Sequence, residues 1–196
     1  MRPPNVLEAL AEVAAAFAAG GIRWYVGGSV ASSARGVARA SLDVDVIADL
    51  RPEHVASLAA KLRQTCYVSE DAIRDAIRRR TGFNVVHLPT ALKIDVFVPQ
   101  DREFDRAAFQ RAALVPLDSE ASGLSYPVAS SEDVILAKLE WFRAGGEVSE
   151  RQWGDLLGVL RISGPTIDRR YLDRMAASLG LSTLLERAVT EAQNKP

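Results

Sequence analysis

Apolar and polar positions repeat with two different periods along the chain, and the change of period separates predicted helices from predicted strands. Apolar residues recur at helical spacing from Val6 to Ala19, and a glycine pair follows where that helix should end. A short run rich in β-branched and aromatic residues at 22–26 ends at a second glycine pair, which predicts a strand and a tight turn. A stretch of small residues that starts at Ser29 then predicts another helix.

The next segments contain the clearest strand signals. Residues 42–48 alternate between aliphatic and acidic side chains, so that Asp43 and Asp45 would project from the same face of a strand. The other elements predicted here are helices at 52–63 and 69–80 and strands at 83–88 and 92–98. Only three residues separate the last two strands, which favours a hairpin or another tight connection.

The C-terminal third is predicted to be helical. A helix around 104–112 and an extended segment at 114–128 precede a Ser-Ser-Glu-Asp sequence that opens a helix reaching Arg143. Further helices are predicted at 149–162, 168–179 and 182–193. We therefore expect an α+β fold, in which a small mixed β-sheet with flanking helices at 1–129 is followed by a C-terminal helical bundle at 130–196.

The composition of the chain argues against several classes of protein and of structural site. The chain has 196 residues, 48% hydrophobic and 25% charged, which is the balance of a globular protein with one main core. A formal net charge of -1 argues against a uniformly basic nucleic-acid binder. One cysteine cannot form an internal disulfide, and one cysteine with two histidines cannot assemble a typical structural zinc site. No apolar run is long enough to span a bilayer, so we expect a cytoplasmic protein without a membrane partner.

The most informative stretch is VGGSVASSARGVARASLDVDVI. Gly27, Gly28 and Ser29 are followed, after 13 intervening residues, by the Asp-x-Asp motif of Asp43 and Asp45. Free backbone amides at the start of a helix suit an anion, and glycine lets the backbone approach it closely. The alternatives without a function in binding are an edge strand whose acids face water and a serine that only caps its helix.

This stretch resembles the signature of the polymerase β-type nucleotidyltransferase superfamily. The resemblance implies that Gly27, Gly28 and Ser29 meet the phosphates of a nucleotide, while Asp43 and Asp45 bind catalytic metal. Asp95, in LKIDVFV, stands where the superfamily places its third carboxylate and would be the base or a ligand of the second ion. The implied cofactor is a pair of Mg²⁺ ions, with Mn²⁺ as a substitute, and carboxylate oxygens suit such ions.

Within that superfamily the chain is most similar to compact nucleotidyltransferases of bacterial toxin–antitoxin systems and to related uncharacterised proteins. The similarity covers most of the chain, but specific motifs occur only in its N-terminal half. In such toxins a lysine on a downstream helix and an acid on the next helix complete the nucleotide pocket. Lys138 and Asp155 stand in comparable places, and the alternative for both is an ordinary solvated helix charge.

The resemblance implies an enzyme that moves a nucleoside monophosphate from a nucleoside triphosphate (NTP) to an acceptor hydroxyl. The implied acceptors are the 3′ end of tRNA, a protein side chain or a small molecule such as an aminoglycoside, with a cognate antitoxin as a further partner. One alternative is a non-catalytic module of the same fold that senses nucleotides or binds a partner protein. Another alternative is phosphoryl transfer.

Two sets of side chains remain ambiguous in the sequence. Arginines after the glycine turn and near the end of the helix predicted at 69–80 are candidates for binding triphosphate or RNA, but a solvated helix face explains the latter group equally well. These arginines are Arg35, Arg39, Arg74, Arg78, Arg79 and Arg80. Trp141 and Trp153 are expected in the core rather than as stacking platforms.

Overall fold

The protein is described here from a computed structural model that covers residues 4–35, 43–117 and 124–194. Arg39 lies outside these residues, as does the first residue of the strand predicted at 42–48. The helices are α1 Pro4–Ala19, α2 Gly28–Arg35, α3 Val55–Leu62, α4 Glu70–Arg79, α5 Glu103–Arg111, α6 Ser131–Ala144, α7 Glu150–Ser163, α8 Arg169–Ser178 and α9 Ser182–Gln193. The strands are β1 Trp24–Val26, β2 Asp43–Ala48, β3 Cys66–Tyr67, β4 Gly82–His87, β5 Leu92–Phe97, β6 Ala113–Pro116 and β7 Ser125–Val128.

The strands form one sheet in the order β3-β4-β5-β2-β1-β7-β6. The β2–β5 and β1–β7 pairs are parallel and the other pairs are antiparallel, so the sheet is mixed. With the four helices α6–α9 after β7, this arrangement confirms the predicted α+β class. β2 is the middle strand, which excludes the edge-strand interpretation of its two aspartates.

Burial of alternate side chains explains why β2 and β5 present their acids on one face. Val44 and Val46 on β2 and Ile94 and Val96 on β5 are fully buried, and α1 packs against both strands. Because side chains alternate across a strand, the residues between these apolar ones project from the opposite face. The core under α1 therefore orients the carboxylates away from itself.

Local signals placed most helix starts correctly. Ser69, Ser130 and Ser149 are N-cap residues whose side chains accept hydrogen bonds from backbone amides in the first turns of α4, α6 and α7. The helix predicted at 52–63 is instead a 3₁₀ turn at Pro52–His54 followed by α3. The two-residue strand β3 was not predicted, because two residues are too few to show alternation.

The C-terminal helices are tied to the end of α2. Ser163 on α7 donates a hydrogen bond to the carbonyl of Arg35 at 2.9 Å and accepts one from Ser131 on α6 at 2.9 Å. The Arg35 guanidinium donates in turn to the carbonyl of Ala129 at 3.1 Å. These contacts hold α6 and α7 beside the helix that the glycine turn opens.

The division of the chain into domains at 129/130 stays a prediction.

A buried polar cluster joins α5, α6 and α8. Glu132 accepts a hydrogen bond from the backbone amide of Asp168 at 2.7 Å and forms an ion pair with Arg111 at 2.7 Å. Tyr171 donates to Asp133 at 2.6 Å, and the Arg111 guanidinium lies 3.9 Å from the centre of the Tyr171 ring. Burial by itself raises the pKa of Glu132, but the hydrogen bonds and the positive charge outweigh it and hold that pKa below its usual value.

No helix in the described ranges combines the length and the apolar character that crossing a membrane requires.

Candidate active site

Asp45 and Asp95 lie directly opposite each other on the parallel strands β2 and β5. Both carboxylates are only partly accessible to solvent, and Asp43 lies on the same face, exposed at the start of β2. Burial and then the Asp95 carboxylate raise the pKa of Asp45 above its ordinary value. The structure therefore brings the three predicted acids to one face of the sheet, where they repel one another.

Lys93 partly neutralises the negative charge of these three carboxylates. Its ammonium donates a hydrogen bond to Asp95 Oδ2 at 2.8 Å, and this bond raises the pKa of Lys93. The other oxygen of the same carboxylate, Asp95 Oδ1, is buried and accepts no hydrogen bond within the described residues. Sequence reasoning missed Lys93, although its position two residues before Asp95 on a strand places both on one face.

The glycine turn touches Asp45 itself. Gly28 has a φ of +52°, and a Cβ atom added to it would lie 1.6 Å from Asp45 Oδ2. The backbone amide of Ser29 donates a hydrogen bond to the Asp45 carboxylate, while the amide of Gly27 donates to the carbonyl of Asp45 at 2.9 Å. Only glycine fits at position 28, since both the conformation and the space exclude a side chain. The N-terminus of α2 is therefore held against the carboxylates.

Lys138 on α6 and Asp155 on α7 form an ion pair of 3.1 Å, with side chains only 10% and 14% exposed. The interpretation of both as solvated helix charges is therefore wrong. The two helices also pack against α2, whose first residues form the glycine turn. The structure thus joins the two predicted pocket residues to each other on helices that neighbour the turn.

The two helical tryptophans have different surroundings. Trp153 is buried as expected, packs against Phe142, and donates a hydrogen bond to Glu191 at 2.7 Å. Trp141 is 56% exposed, so its predicted place in the core is wrong. Its ring meets Phe97 at 5.8 Å with an interplanar angle of 64°. Phe97 follows Asp95 by two residues on β5, which puts this aromatic pair on the carboxylate face.

Most of the arginines near the end of α4 form ion pairs within that helix. Arg74, Arg78 and Arg79 form ion pairs with acids three or four residues earlier on α4, as the solvated-face interpretation predicts. Arg80 differs, because it has a φ of 54° and donates a hydrogen bond to the carbonyl of Pro99 at 3.1 Å. The Arg35 guanidinium links α2 to the carbonyl of Ala129.

The chemistry of this face suits a hard divalent cation, although the ligands are not assembled around one. No group of three or more histidine, cysteine, aspartate or glutamate side chains in the described ranges is arranged to hold a metal ion. In this arrangement Lys93 binds Asp95 and the Ser29 amide binds Asp45. The donors are nevertheless carboxylate oxygens, and one of them, Asp95 Oδ1, is buried without a partner, which fits an oxygen-preferring ion.

Solved structures provide the similarity to known proteins. No protein-family model matches the chain, and no curated protein matches its sequence. The antibiotic-resistance factor ANT(2'')-Ia superimposes with a TM-score of 0.53 at 16% identity, over 92% of this chain and 94% of that one. The same factor in complex with adenylyl-2''-tobramycin gives a TM-score of 0.53 at 15% identity, over 86% and 93%. A Thermotoga maritima protein assigned as a nucleotidyltransferase gives 0.51 at 16% identity, over 79% and 96%.

Proposed function

We propose that this chain, which has the nucleotidyltransferase fold, transfers a nucleoside monophosphate from an NTP to an acceptor hydroxyl in a metal-dependent reaction. The observation that carries the proposal is the pairing of Asp45 with Asp95 beside the N-terminus of α2. Anion-binding amides and cation-binding carboxylates are both needed to hold a metal–triphosphate complex. In this chain the two lie in direct contact.

The turn at Gly27, Gly28 and Ser29 binds the triphosphate in this proposal. The Ser29 amide, which now donates to Asp45, changes partner to a phosphate oxygen and releases the carboxylate. Lys138 contributes positive charge to the phosphates, while Asp155 orients its ammonium. We place these functions in a catalytic domain at 1–129 and a helical region at 130–196 that supplies Lys138 and Asp155.

Asp43, Asp45 and Asp95 are the proposed ligands of two Mg²⁺ ions, for which Mn²⁺ can substitute. When bound, such ions activate an attacking hydroxyl and stabilise the leaving pyrophosphate. Lys93 holds the cation position beside Asp95 in the ligand-free arrangement and withdraws from it when the metal–nucleotide complex binds. Its long side chain is 41% exposed, so that withdrawal into solvent requires no change in the core.

In the reaction the acceptor oxygen forms a bond to the α-phosphorus, and the bond from that phosphorus to the oxygen bridging to the β-phosphate breaks. Pyrophosphate leaves with the electron pair of the broken bond. The hydroxyl proton moves to Asp95 Oδ2, the oxygen that Lys93 releases when it withdraws. Asp95 therefore acts as the base in this proposal.

The proposed acceptor is the 3′ end of tRNA or a protein side-chain hydroxyl, and the chain would act as a cytoplasmic toxin with a cognate antitoxin. A small-molecule hydroxyl is the second candidate. It is favoured by the likeness to ANT(2'')-Ia in complex with adenylyl-2''-tobramycin, which extends over 86% of this chain. The two candidates share the carboxylates and the glycine turn and differ only in what approaches the α-phosphate.

The test incubates the protein with Mg²⁺ and each α-labelled NTP in turn, with total tRNA, cell-lysate protein or a panel of aminoglycosides as acceptor. The Asp43→Asn/Asp45→Asn variant is the control. We expect label transfer to one acceptor class by the wild-type protein, together with release of pyrophosphate, and none by the variant. Formation of α-labelled nucleoside diphosphate, with an unlabelled acceptor that gains the mass of one phosphate, would overturn nucleotidyl transfer in favour of phosphoryl transfer.

The competing function is a non-catalytic module that senses nucleotides or binds a partner protein. Equilibrium dialysis with labelled NTP and Mg²⁺ separates it from the enzyme. Metal-dependent binding without transfer to any acceptor would contradict the enzymatic proposal and support the module.

A further inference from the structure

A cavity of about 360 Å³ opens at the far end of β2 and β5 from the proposed active site. Arg23, Arg51, Arg80 and Arg106 line it, together with Asp49 and Asp101. Asp49 follows Asp45 by four residues, which corresponds to roughly 13 Å along an extended strand. The cavity is thus separate from the carboxylates that would hold the metal.

The cavity has more cationic than anionic groups available to a ligand. Four arginines face three aspartates, and both oxygens of the third, Asp105, accept hydrogen bonds from Arg102 at 2.8 and 3.1 Å. Arg23 and Arg51 approach the same oxygen, Asp49 Oδ2, at 2.7 and 4.0 Å. Four arginines against three aspartates leave the lining of the cavity with one net positive charge.

Arg80 contributes a guanidinium without an acidic partner among the described residues. It donates to the carbonyl of Pro99 and forms no ion pair with a carboxylate of the described ranges. Arg23, Arg51 and Arg106 do have acidic neighbours, but their side chains are more than half exposed. Ion pairs at such positions contribute at most about 1 kcal/mol, so a ligand can replace them at little cost.

The backbone around the cavity is held in an unusual conformation. Arg80 and Asp101 have φ angles of 54° and 64°, in the left-handed region that non-glycine residues seldom adopt. The Gln100 side chain donates to the carbonyl of Arg80, and Arg106 donates to the carbonyl of Asp101. These bonds link residues around the cavity to one another.

We propose that this cavity binds a phosphate group of a small phosphorylated ligand without a divalent metal. Guanidinium groups match the geometry of phosphate oxygens, and the volume lies at the lower end of the range for small-molecule pockets. The ligand class is an anion the size of inorganic phosphate or pyrophosphate. This site goes beyond the proposed function and does not depend on it.

Titration calorimetry with inorganic pyrophosphate and with phosphate, in buffer containing a chelator, tests the site. Without metal the three aspartates of the active site repel an anion, so metal-free binding reports on the arginines. We expect saturable binding that the Arg51→Gln/Arg80→Gln variant weakens at least about tenfold. The matched control, Arg74→Gln/Arg169→Gln, removes two exposed arginines elsewhere and should bind as the wild type does.

The Arg51→Gln/Arg80→Gln variant separates this site from the proposed function, because it should lose metal-free pyrophosphate binding while its Mg²⁺-dependent label transfer stays that of the wild type. A short RNA oligonucleotide that displaces pyrophosphate would identify nucleic acid as the source of the phosphate, and one that does not would identify a small anion. The absence of saturable metal-free binding, or equal affinity in the two arginine double variants, would overturn the proposal.

Discussion

Asp45 and Asp95 face each other across the parallel strands β2 and β5, one residue opposite the other. Two carboxylates at paired positions on one face repel each other, and burial and that repulsion raise the pKa of Asp45. Lys93 and the Ser29 amide each compensate only part of the charge. The fold therefore maintains an electrostatic cost that a bound cation would remove.

Replacing Asp45 with Asn should separate activity from stability. Because the ionised carboxylate is disfavoured in the folded state, the neutral amide should leave the free energy of unfolding unchanged or higher. Loss of a metal ligand should reduce nucleotidyl transfer at least about 100-fold. Label-transfer rates and urea unfolding measure the two effects. A variant that loses activity only because it is less stable would contradict the assignment.

Gly28→Ala should inactivate the protein by displacing Asp45. The added Cβ would lie 1.6 Å from Asp45 Oδ2, so the carboxylate or the turn has to move. Gly21→Ala is a matched control, since Gly21 has a φ of +61° but no atom within 4 Å of the added Cβ. Both variants should lose roughly 1–2 kcal/mol of stability from the backbone conformation. Only Gly28→Ala should lose transfer activity, and equal activities would remove the link between the turn and Asp45.

The Lys138–Asp155 pair should affect nucleotide binding more than folding. Replacing both partners, as Lys138→Met/Asp155→Leu, removes the two buried charges together, so stability should change by no more than about 1–2 kcal/mol. If the lysine contacts phosphate, the KM for NTP should rise about tenfold while kcat changes less. Steady-state kinetics on the folded double variant measures KM and kcat. An unaltered KM would assign the pair to structure alone.

Trp141 should contribute to substrate binding and little to stability. Its ring is more than half exposed beside Phe97, on the face that carries Asp95, and offers a surface for stacking a base or another ring. Trp141→Ala should lower the unfolding free energy by less than about 1 kcal/mol and raise the KM for one substrate severalfold. Trp153→Ala, in the core, should instead lose roughly 3–5 kcal/mol. Unchanged kinetics in Trp141→Ala would leave the ring without a function in binding.

The pH dependence of stability should reveal the buried cluster around Glu132. The folded-state pKa of Glu132 is lowered, so its stabilisation is present above the usual glutamate pKa and is lost as the pH falls through the lower folded value. Glu132→Gln should therefore cost roughly 1–3 kcal/mol at neutral pH, and the difference from wild type should shrink below about pH 4. Urea unfolding across this range measures the difference, with Glu186→Gln, at an exposed position on α9, as the control. A difference that does not vary with pH would contradict the charge-based explanation.

Short-range patterns determined much of the fold. The alternation in DVDVI and LKIDVF and the serine caps of α4, α6 and α7 depend on neighbouring residues, so the elements could be predicted within a few positions. The same alternation placed Asp43 and Asp45 on one face. The candidate residues of the site could therefore be chosen from the sequence, although their function stays a prediction.

Only the tertiary structure decided which of these residues meet. The pairing of Asp45 with Asp95, and the central place of β2, depend on which strands associate when α1 buries the apolar face of the sheet. The contact of Lys138 with Asp155 and the exposure of Trp141 depend on how α6 and α7 are rotated against their neighbours. The arginine cavity combines segments far apart in the chain. Local preferences determine the helices and strands because they act between residues close in the sequence. The contacts between these elements arise from long-range packing, which no short pattern in the sequence specifies.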